Sequence, residues 1–138
     1  MMSNSLSDLA YCAGLFDGEG CVSLVKGKYD KKIKYSLQVK ISSTDYFIIE
    51  WVQEHFGGYV TTEHKKTVNR KEAWCWSCKI SEQDMFFFSI LPYSKIKRIQ
   101  IIEALNYIYE KQNGGRLTEK ELMLREGYHK RLKAMKQL

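Results

Sequence analysis

The fold of this protein is decided by the stretch Cys12-Ala13-Gly14-Leu15-Phe16-Asp17-Gly18-Glu19-Gly20. Ser7 and Asp8 come shortly before it, and a serine followed by an acid favours the first turn of a helix. The glycines on either side of Glu19 are typical of a helix end. The sequence therefore predicts a first helix that begins at Ser7 and stops within residues 17–20.

Small residues line one face of this predicted helix. Ala10, Gly14 and Gly18 are four residues apart, which stacks them on one side of a helix. Such a face lets a second helix approach until the two backbones touch. Glu19 would then lie at the helix end beside the partner helix, where the dipole disfavours a carboxylate unless divalent cations neutralise it. The simpler alternative is a glycine-ended helix with acids on its surface.

The residues after this stretch alternate strictly between polar and apolar. A strand from Cys21 to Lys26 and a polar tip over residues 27–31 are expected first. The next strand has one polar face, which holds Lys32, Lys34, Ser36, Gln38, Lys40 and Ser42. Its other face is apolar, and this pattern predicts an antiparallel sheet that is covered on one side only.

A second helix and two more strands are expected next. The helix covers residues 45–56, and its predicted buried stripe is Ile48, Trp51, Val52 and Phe56. The two strands cover residues 59–65 and 73–80. A loop rich in lysine, asparagine and arginine joins them.

Two further helices follow the strands. A capping box at residues 81–84 is expected to open a short apolar helix. Ser94 is the expected cap of a longer helix over residues 95–112. The predicted buried stripe of this longer helix is Ile99, Ile102, Leu105 and Tyr109.

These elements predict one domain of the α+β class over residues 1–138. We expect a four-stranded antiparallel sheet with helices packed on one face, in the order α-β-β-α-β-β-α-α-α. The core covers about residues 7–112, and a C-terminal helical extension over about 117–136 begins with a capping box of Thr118 and Glu121. The sequence contains no internal repeat, so it reads as one unit rather than a fused pair.

Charge is distributed unevenly along the chain. The sequence has 22 Lys+Arg against 16 Asp+Glu, a net charge of +6. Residues 22–40 hold six lysines and one acid, whereas residues 5–20 hold three acids and no base. An acidic group among basic strands suits metal-dependent phosphodiester chemistry, because carboxylates bind the cation and lysines bind the phosphate backbone.

Several classes of protein are not expected. No run of about 18 apolar residues is present, which argues against a membrane span. The polar residues 1–7 lack the basic and apolar regions of a secretory signal. The four cysteines are too few and too irregularly spaced for a disulfide scaffold, so we expect an intracellular, reducing location.

The stretch at residues 12–20 resembles the signature of the LAGLIDADG homing endonucleases in every position class. Cys12 stands for the usual leucine and Glu19 for the usual second aspartate, and both changes preserve the chemistry of the position. The predicted order of helices and strands is also that of the family core. Residues 91–97 resemble the segment that carries the family's active-site lysine, which falls on Lys97.

The resemblance implies a site-specific endonuclease that makes a double-strand cut at a long, near-palindromic target, as in intron homing. One motif per chain implies a saddle-shaped homodimer over double-stranded DNA, with an interface formed by Ala10, Tyr11, Gly14 and Gly18. Each Glu19, helped by the Gly18 carbonyl, would hold Mg²⁺ against a scissile phosphate, and Lys97 would supply positive charge. The family's water-organising glutamine falls on Ser43, which could equally be a helix cap.

The DNA contacts expected from this resemblance lie on the polar face of the sheet. The second strand supplies Lys34, Ser36, Gln38 and Lys40, and its neighbour supplies Ser23 and Val25. Phosphate contacts are expected around the hairpin tip, from Lys26, Lys28, Tyr29 and Lys32. The third strand adds Tyr59, Thr61, Glu63 and Lys65.

Alternative functions stay open at this point. The same fold could serve an intron RNA maturase or a non-catalytic DNA-binding protein, although Glu19 together with Lys97 favours the enzyme. Cys75 and Cys78 have the CxxC spacing of redox and zinc proteins. Strand residues three apart point to opposite faces, so a structural role is expected for both, and the face of their strand that meets DNA is undecided. The three histidines lack ligand spacing and are expected to be surface or packing residues.

Overall fold

The computed structural model describes residues 3–111 and 117–136, and its elements follow the predicted order. The helices are α1 (Leu6–Glu19), α2 (Tyr46–Phe56), α3 (Gln83–Ile90), α4 (Arg98–Glu110) and α5 (Glu119–Met135). The strands are β1 (Gly20–Tyr29), β2 (Lys32–Ser43), β3 (Tyr59–His64) and β4 (Ala73–Ser77). The predicted α+β class is confirmed. Within the described residues no helix is long and apolar enough to cross a membrane.

All four strands belong to one antiparallel sheet in the spatial order β1-β2-β4-β3. β1 pairs with β2 along its whole length, whereas β4 pairs with β2 only over Lys40–Ser43. The outer part of the β1–β2 hairpin, residues 25–34, is exposed throughout. The sheet therefore has a packed half near α1 and α2 and a free-standing half at the hairpin.

One face of the sheet carries the core, as the alternation predicted. The buried residues of β2 are Tyr35, Leu37, Val39 and Ile41. Trp76 of β4 is fully buried on the same side. Phe16 of α1 packs edge-on against Phe86 and Phe87 of α3, with ring centroids 5.6 and 6.3 Å apart. The helices thus cover this face and leave the opposite one free.

α1 begins earlier than predicted, because its N-cap is Ser5 rather than Ser7. The Ser5 hydroxyl accepts the Asp8 N–H at 3.2 Å, and the Asp8 carboxylate accepts the Ser5 N–H at 3.0 Å. This reciprocal pair is a capping box that satisfies two backbone amides at once. The cap at Ser5 is therefore favoured, and Ser7 becomes part of the first turn.

The predicted tip over residues 27–31 is wrong, since both strands continue further and a two-residue turn joins them. Asp30 and Lys31 form this turn with φ angles of 47° and 66°. Positive φ at both central residues is typical of a type I′ turn, whose twist matches that of paired strands. Gly27 lies inside β1 instead, opposite Lys34.

The start of α3 also differs from the prediction. β4 ends at Ser77, and a 3₁₀ turn over Ile80–Glu82 takes Ser81 out of the cap position. Glu82 precedes α3 without a side-chain hydrogen bond to it. The buried Gln83 side chain donates to a β2 backbone carbonyl at 2.8 Å. The predicted capping box is wrong because this contact with the sheet, rather than a local cap, fixes the helix start.

α4 starts at Arg98 and not at residue 95 behind Ser94. Ser94 is buried, and its hydroxyl has no hydrogen-bond partner among the described residues. Hydrogen bonds to Asp17 hold residues 95–97 outside the helix. Residue 112, the predicted end of this helix and of the core, lies outside the described residues.

The buried faces of α2 and α4 are rotated from the predicted ones. α2 buries Ile49, Val52, His55 and Phe56, so that Ile48 and Trp51 are only partly covered. α4 buries Ile101, Ala104, Leu105 and Tyr107, and it exposes Ile99, Ile102 and Tyr109. A helix with apolar residues on several sides fits more than one stripe, and the position of the sheet decides which one is buried.

α5 packs on the sheet of its own chain, along the edge strand β1. His129 Nδ1 lies 2.7 Å from the Leu24 carbonyl oxygen. Glu126 accepts a hydrogen bond from the Tyr35 hydroxyl and forms an ion pair with Lys26 at 3.0 Å. Because an edge strand presents unpaired backbone groups, these contacts cover part of the sheet edge.

Candidate active site

A cleft of about 500 Å³ opens at the C-terminal end of α1. Its walls include Glu19, Ser43, Glu63 and His64. Glu19 ends α1, Ser43 ends β2 and His64 ends β3, so the ends of three elements converge there. Two residues that the sequence marked for catalysis, Glu19 and Ser43, therefore line the same cleft.

Glu19 is exposed at the negative end of the α1 dipole, and no basic residue lies in the last turn of the helix. Among residues 3–111 and 117–136, no cluster of three or more His, Cys, Asp or Glu side chains could hold a metal ion. One chain offers the Glu19 carboxylate and the backbone carbonyl of the exposed Gly18. These are hard oxygen donors, but they are fewer than Mg²⁺ or Ca²⁺ takes.

Asp17, the first acid of the motif, is buried two residues before Glu19. Its carboxylate accepts the backbone N–H groups of Lys95 at 2.8 Å and Lys97 at 3.0 Å. Burial by itself would raise the pKa of this carboxyl group. The amide hydrogen bonds of Lys95, Lys97 and Ile96 and the positive charge of Lys97 outweigh burial, so the pKa is lowered. Asp17 is therefore ionised at neutral pH.

Lys97 is half-buried immediately before α4, and its ammonium group donates to the Asp17 carbonyl at 2.7 Å. The Lys97 charge is favourable at the C-terminal end of α1, because the dipole of α1 is negative there. The sequence predicted a role for Lys97 but none for Asp17. The motif itself carried the signal, since an acid in the last turn of a helix needs donors from elsewhere in the chain.

Ser43 lies at the turn from β2 into α2. Its hydroxyl accepts the Asp45 N–H at 3.0 Å, and Asp45 in turn caps α2 by accepting the Phe47 N–H at 3.0 Å. The N-cap of α2 is thus Asp45, and Ser43 is not the helix cap that the sequence offered as one alternative but a turn residue just before it. The same hydroxyl lines the cleft with Glu19 and keeps its own proton for donation.

His64 reaches the cleft through a β-bulge. Thr62 pairs with Trp74 and His64 pairs with Ala73, so Glu63 is the extra residue. A bulge changes the face to which the following side chain points, and bulges are frequent beside active sites. The sequence did not predict His64 here, because one inserted residue reverses an alternation that otherwise looks regular.

The uncovered face of the sheet is built from cross-strand pairs of β1 and β2. Ser23 lies opposite Gln38, and Val25 lies opposite Ser36. Residues directly opposite each other in an antiparallel pair point to the same face. The other residues predicted to contact DNA on this face are Tyr29, Lys32, Lys34 and Lys40. The structure thus brings these positions together on one polar surface.

Lys26 and Lys28 do not share that surface. Lys26 lies opposite the buried Tyr35 and pairs with Glu126 of α5 at 3.0 Å, and Lys28 lies opposite Ile33. Both lysines belong to β1, and Lys28 lies two residues before the turn, so their contact with DNA phosphates stays a prediction. They lie on the helix side of the hairpin.

β3 and β4 extend the uncovered face. Tyr59 lies opposite Ser77, and Thr61 lies opposite Cys75. The alternate residue Trp76 is fully buried in the core. The face of β4 that carries Cys75 and Ser77 is therefore the one continuous with the polar surface of β1 and β2.

Two predicted positions of the third strand are less regular. Glu63 is the bulged residue and lines the cleft. Lys65 lies beyond His64, the last residue of β3, in the loop toward β4. Both side chains are exposed. Glu63 therefore lines the same cleft as Glu19 and Ser43.

The small-residue face of α1, Ala10, Gly14 and Gly18, is exposed. A Cβ atom added at Gly14 or Gly18 would meet no neighbouring heavy atom within 4 Å in the part of the chain that the structure describes. At Gly20, by contrast, an added Cβ would lie 2.4 Å from Phe16. The packing of this chain therefore requires a glycine at position 20 but not at 14 or 18.

Aromatic side chains border the small-residue face. Tyr11 is 55% exposed and packs edge-on against Trp51, with ring centroids 5.2 Å apart. Phe47, at the start of α2, is 80% exposed. Exposed aromatic rings beside a flat helix face are typical of a surface that a partner covers.

The CxxC spacing does not mark a second site. Cys75 and Cys78 are free and buried, with Cys75 in β4 and Cys78 beyond its end. Burial, followed by the negative charges of Glu82 and Asp84, raises the pKa of Cys78 to about 12. A thiol that stays protonated at neutral pH is a poor nucleophile and a poor metal ligand, so its role is structural.

Three solved structures that are similar to this chain are homing endonucleases. I-CvuI in complex with its target matches with a TM-score of 0.72 and 20% identity, over 94% of this chain and 82% of that chain. I-TnaI matches with a TM-score of 0.68 and 15% identity, over 99% of this chain and 98% of that chain. I-SmaMI bound to cleaved DNA matches with a TM-score of 0.71 and 16% identity, over 94% of this chain and 45% of that chain.

Comparison of the sequence with known proteins finds a match to a family model but to no individual curated protein. No curated protein sequence matches this chain. The family model described as LAGLIDADG endonuclease matches residues 12–91, a span that contains the motif of α1, the whole sheet and α2. Because this match covers more than half of the sequence, the chain belongs to the LAGLIDADG endonuclease family.

Proposed function

We propose that this chain is a homing endonuclease that makes a site-specific double-strand cut at a long, near-palindromic DNA target, as a homodimer that uses Mg²⁺. The observation that carries the proposal is the end of α1, where Glu19 is exposed in a cleft and Lys97 is bonded to the Asp17 carbonyl two residues away. Phosphodiester hydrolysis needs these two parts, an oxygen ligand for a cation and a positive charge for the transition state. Relatives solved with target or cleaved DNA support the substrate.

A homodimer is supported by glycines that the packing of one chain does not require. Glycine inside a helix costs about 1 kcal/mol relative to alanine. Within residues 3–111 and 117–136 nothing explains this cost at Gly14 or Gly18, because a Cβ at either meets open space. A second α1 that approaches the backbone there would explain it, with Ala10 and Tyr11 extending the contact. Two-fold symmetry would bring two Glu19 side chains together over a near-palindromic site.

Mg²⁺ fits this site as an ion that two subunits share rather than as an ion that one chain holds alone. The Glu19 carboxylate and the Gly18 carbonyl are hard donors at the negative end of a helix. The partner's Glu19 and phosphate oxygens of the DNA would supply further oxygen ligands. When bound, the cation would polarise the scissile phosphate and lower the pKa of the attacking water.

Lys97, at the end of α1, and Ser43, in the cleft, would bind and orient the reactants. Lys97 would hold positive charge where negative charge develops on the phosphate. Ser43 already accepts the Asp45 amide, and it can donate its hydroxyl proton to orient a water molecule.

The uncovered sheet face would recognise the DNA sequence. The Gln38 amide can pair with an adenine edge, and Lys34 or Lys40 can pair with guanine. Tyr29 and Lys32, next to the two-residue turn, suit contacts to the backbone. The other proposed contacts on this face are Ser23, Val25, Ser36, Tyr59 and Thr61. Further proposed contacts lie outside it, namely Lys26 and Lys28 on the helix side of the hairpin, and Glu63 and Lys65 at the end of β3.

Cleavage of a randomised duplex library in Mg²⁺ tests the proposal, with the wild type compared with Glu19→Gln. We expect specific double-strand cuts by the wild type and none by the variant, with DNA affinity largely kept, because glutamine removes only the charge. Glu54→Gln is the matched control, since Glu54 is an exposed acid in the last turn of α2, away from the cleft. It is expected to cut like the wild type.

Other outcomes would point elsewhere. Equal cutting by the wild type and Glu19→Gln would remove Glu19 from the mechanism. No cutting by any form, together with tight binding of intron RNA, would favour a maturase. Tight duplex binding without cutting would favour a DNA-binding protein. A mass measurement in solution tests the dimer separately, since a stable monomer could not complete the site.

A further inference from the structure

The two acids of the motif have opposite surroundings. Glu19 is exposed, whereas Asp17 is only 9% exposed and lies within the last turn of α1. The helix dipole and burial both oppose a negative charge at Asp17. A carboxylate in this position needs hydrogen-bond donors, and those of Asp17 come from one distant segment.

That segment is residues 95–97, which precede α4. The Lys95 N–H donates to Asp17 Oδ2 at 2.8 Å, and the Lys97 N–H donates to Asp17 Oδ1 at 3.0 Å. In addition, the Lys97 ammonium group donates to the Asp17 carbonyl at 2.7 Å. Asp17 thus holds both the backbone and the side-chain end of Lys97.

Beyond Asp17, the segment is held where α4 begins, since the Lys97 carbonyl accepts the Ile101 N–H at 2.9 Å. Ile96 is 76% exposed, and Lys95 is exposed as well. The Lys97 side chain makes no cap hydrogen bond to α4. The Ser94 hydroxyl, one residue before the segment, has no partner among the residues that the structure describes. The Asp17 carboxylate is therefore the main anchor of residues 95–97.

We propose that Asp17 is a positioning residue that holds Lys97 beside Glu19, so that the ammonium charge is in place before DNA binds. The kinetic part of this inference rests on the proposed nuclease function, whereas the anchoring itself rests only on the hydrogen bonds. The position requires a carboxylate. Asparagine has the same shape but offers one acceptor oxygen and one NH₂ group, which would face a backbone donor.

Single-turnover cleavage separates this role from a general loss of stability. Asp17→Asn is expected to lower the cleavage rate constant by up to about 100-fold, because a displacement of about 1 Å in an active site can cost that much. The dissociation constant for duplex DNA should stay unchanged. In a Lys97→Met background the same substitution should have little further effect, since both changes remove one contribution.

Asp8→Asn is the matched control for this experiment. Asp8 is the other carboxylate of α1 that accepts a backbone amide, at 3.0 Å from the Ser5 nitrogen, and it lies at the opposite helix end. Its loss should lower stability without changing the cleavage rate constant. The cycle is also run with Asp17→Glu, which keeps both acceptor oxygens on a longer side chain, so that a result is obtained even if Asp17→Asn does not fold.

Amide hydrogen exchange in the free protein gives a second readout that needs neither metal nor cleavage. The Lys95 and Lys97 amides should be protected in the wild type and exchange faster in Asp17→Asn, while the middle of α4 keeps its protection. This pattern in a protein that cuts no DNA would support the anchor and reject the nuclease function. Unchanged exchange at both amides, or equal rate losses with and without Lys97, would overturn the proposal.

Discussion

The two ends of α1 are built in opposite ways. At the N-terminal end, Ser5 and Asp8 satisfy each other's backbone amides at 3.2 and 3.0 Å, and the acid lies where the helix dipole favours it. At the C-terminal end, Asp17 and Glu19 lie where the dipole disfavours them, and the last turn contains no base. One end is closed by neighbours in sequence, whereas the other depends on Lys97, 80 residues further along the chain.

This difference between the two ends separates the residues that stabilise α1 from the residues that the proposed function requires. The capping box shows that a helix end in this chain can be satisfied locally when nothing else is required of it. A helix end that keeps two acids against its own dipole breaks a local rule of stability, and such exceptions are expected at functional sites. The comparison therefore assigns stability to the first turn of α1 and function to the last.

The middle of α1 gives the largest expected effect. Gly14→Ala should stabilise the isolated subunit by about 1 kcal/mol, because alanine favours a helix and its Cβ meets open space. The same methyl group should weaken the dimer by about 10- to 100-fold, since overpacking a tight contact costs about 1–3 kcal/mol. Sedimentation velocity at several concentrations measures the dimer, and thermal melting of dilute protein measures the subunit.

Gly127→Ala provides the control for this pair of measurements. Gly127 also lies inside a helix, α5, and its added Cβ would meet only the flexible end of Arg131 at 3.0 Å. It should leave the dimer unchanged. If Gly14→Ala also leaves the dimer dissociation constant unchanged, α1 is not the interface.

The first turn of α1 gives an effect that depends on pH. Hydrogen bonds with the backbone and then the side chain of Ser5 outweigh desolvation and, with the charge of His55, lower the pKa of Asp8 from 3.8. A folded-state pKa below the unfolded value contributes stability above the unfolded pKa, and this is lost as the pH falls through the folded value. Asp8→Asn should therefore destabilise the protein near neutral pH, and its deficit should shrink below about pH 4. Urea unfolding at several pH values measures this, and a constant deficit would contradict it.

A substitution in the last turn of α1 is expected to give the smallest effect, and it should raise the stability rather than lower it. Glu19→Gln removes a negative charge from the negative end of the dipole, so the free energy of unfolding should rise by about 0.3–1 kcal/mol at low salt. Added salt should screen most of this gain, because Glu19 is exposed. Urea unfolding at low and high salt measures both. A loss of stability in Glu19→Gln would mean that the helix needs this acid, and the contrast between the two ends would fail.

The parts of the fold that follow a strict local period could be predicted from the sequence. Alternation over residues 32–42 identified both faces of β2, because side chains in a strand must alternate. The Thr118 cap of α5 was also predicted, and its hydroxyl accepts the Glu121 N–H at 3.1 Å. The start of α4 was not, since the hydrogen bonds that hold residues 95–97 reach back to Asp17. The sequence around Ser94 contains no pattern that predicts a contact with Asp17.

The same distinction applies to the candidate site. The motif identified Glu19, and the family resemblance pointed to Lys97 and Ser43 before any geometry was known. Asp17 gained a role only from its hydrogen bonds, and the position of His64 in the cleft became visible only through a bulge that the alternation of β3 hides. Sequence patterns thus marked residues whose chemistry is visible in their type, and missed those whose role depends on which distant segment they meet.

A crystal structure of the protein on a duplex selected from the library, with Mn²⁺ in place of Mg²⁺, tests the shared site most directly. We predict two α1 helices in contact through Gly14 and Gly18, and an anomalous scattering peak at their ends that is bounded by Glu19 of both subunits. Two Glu19 side chains that lie apart in bulk solvent, with no metal between them and the DNA, would contradict the proposed nuclease.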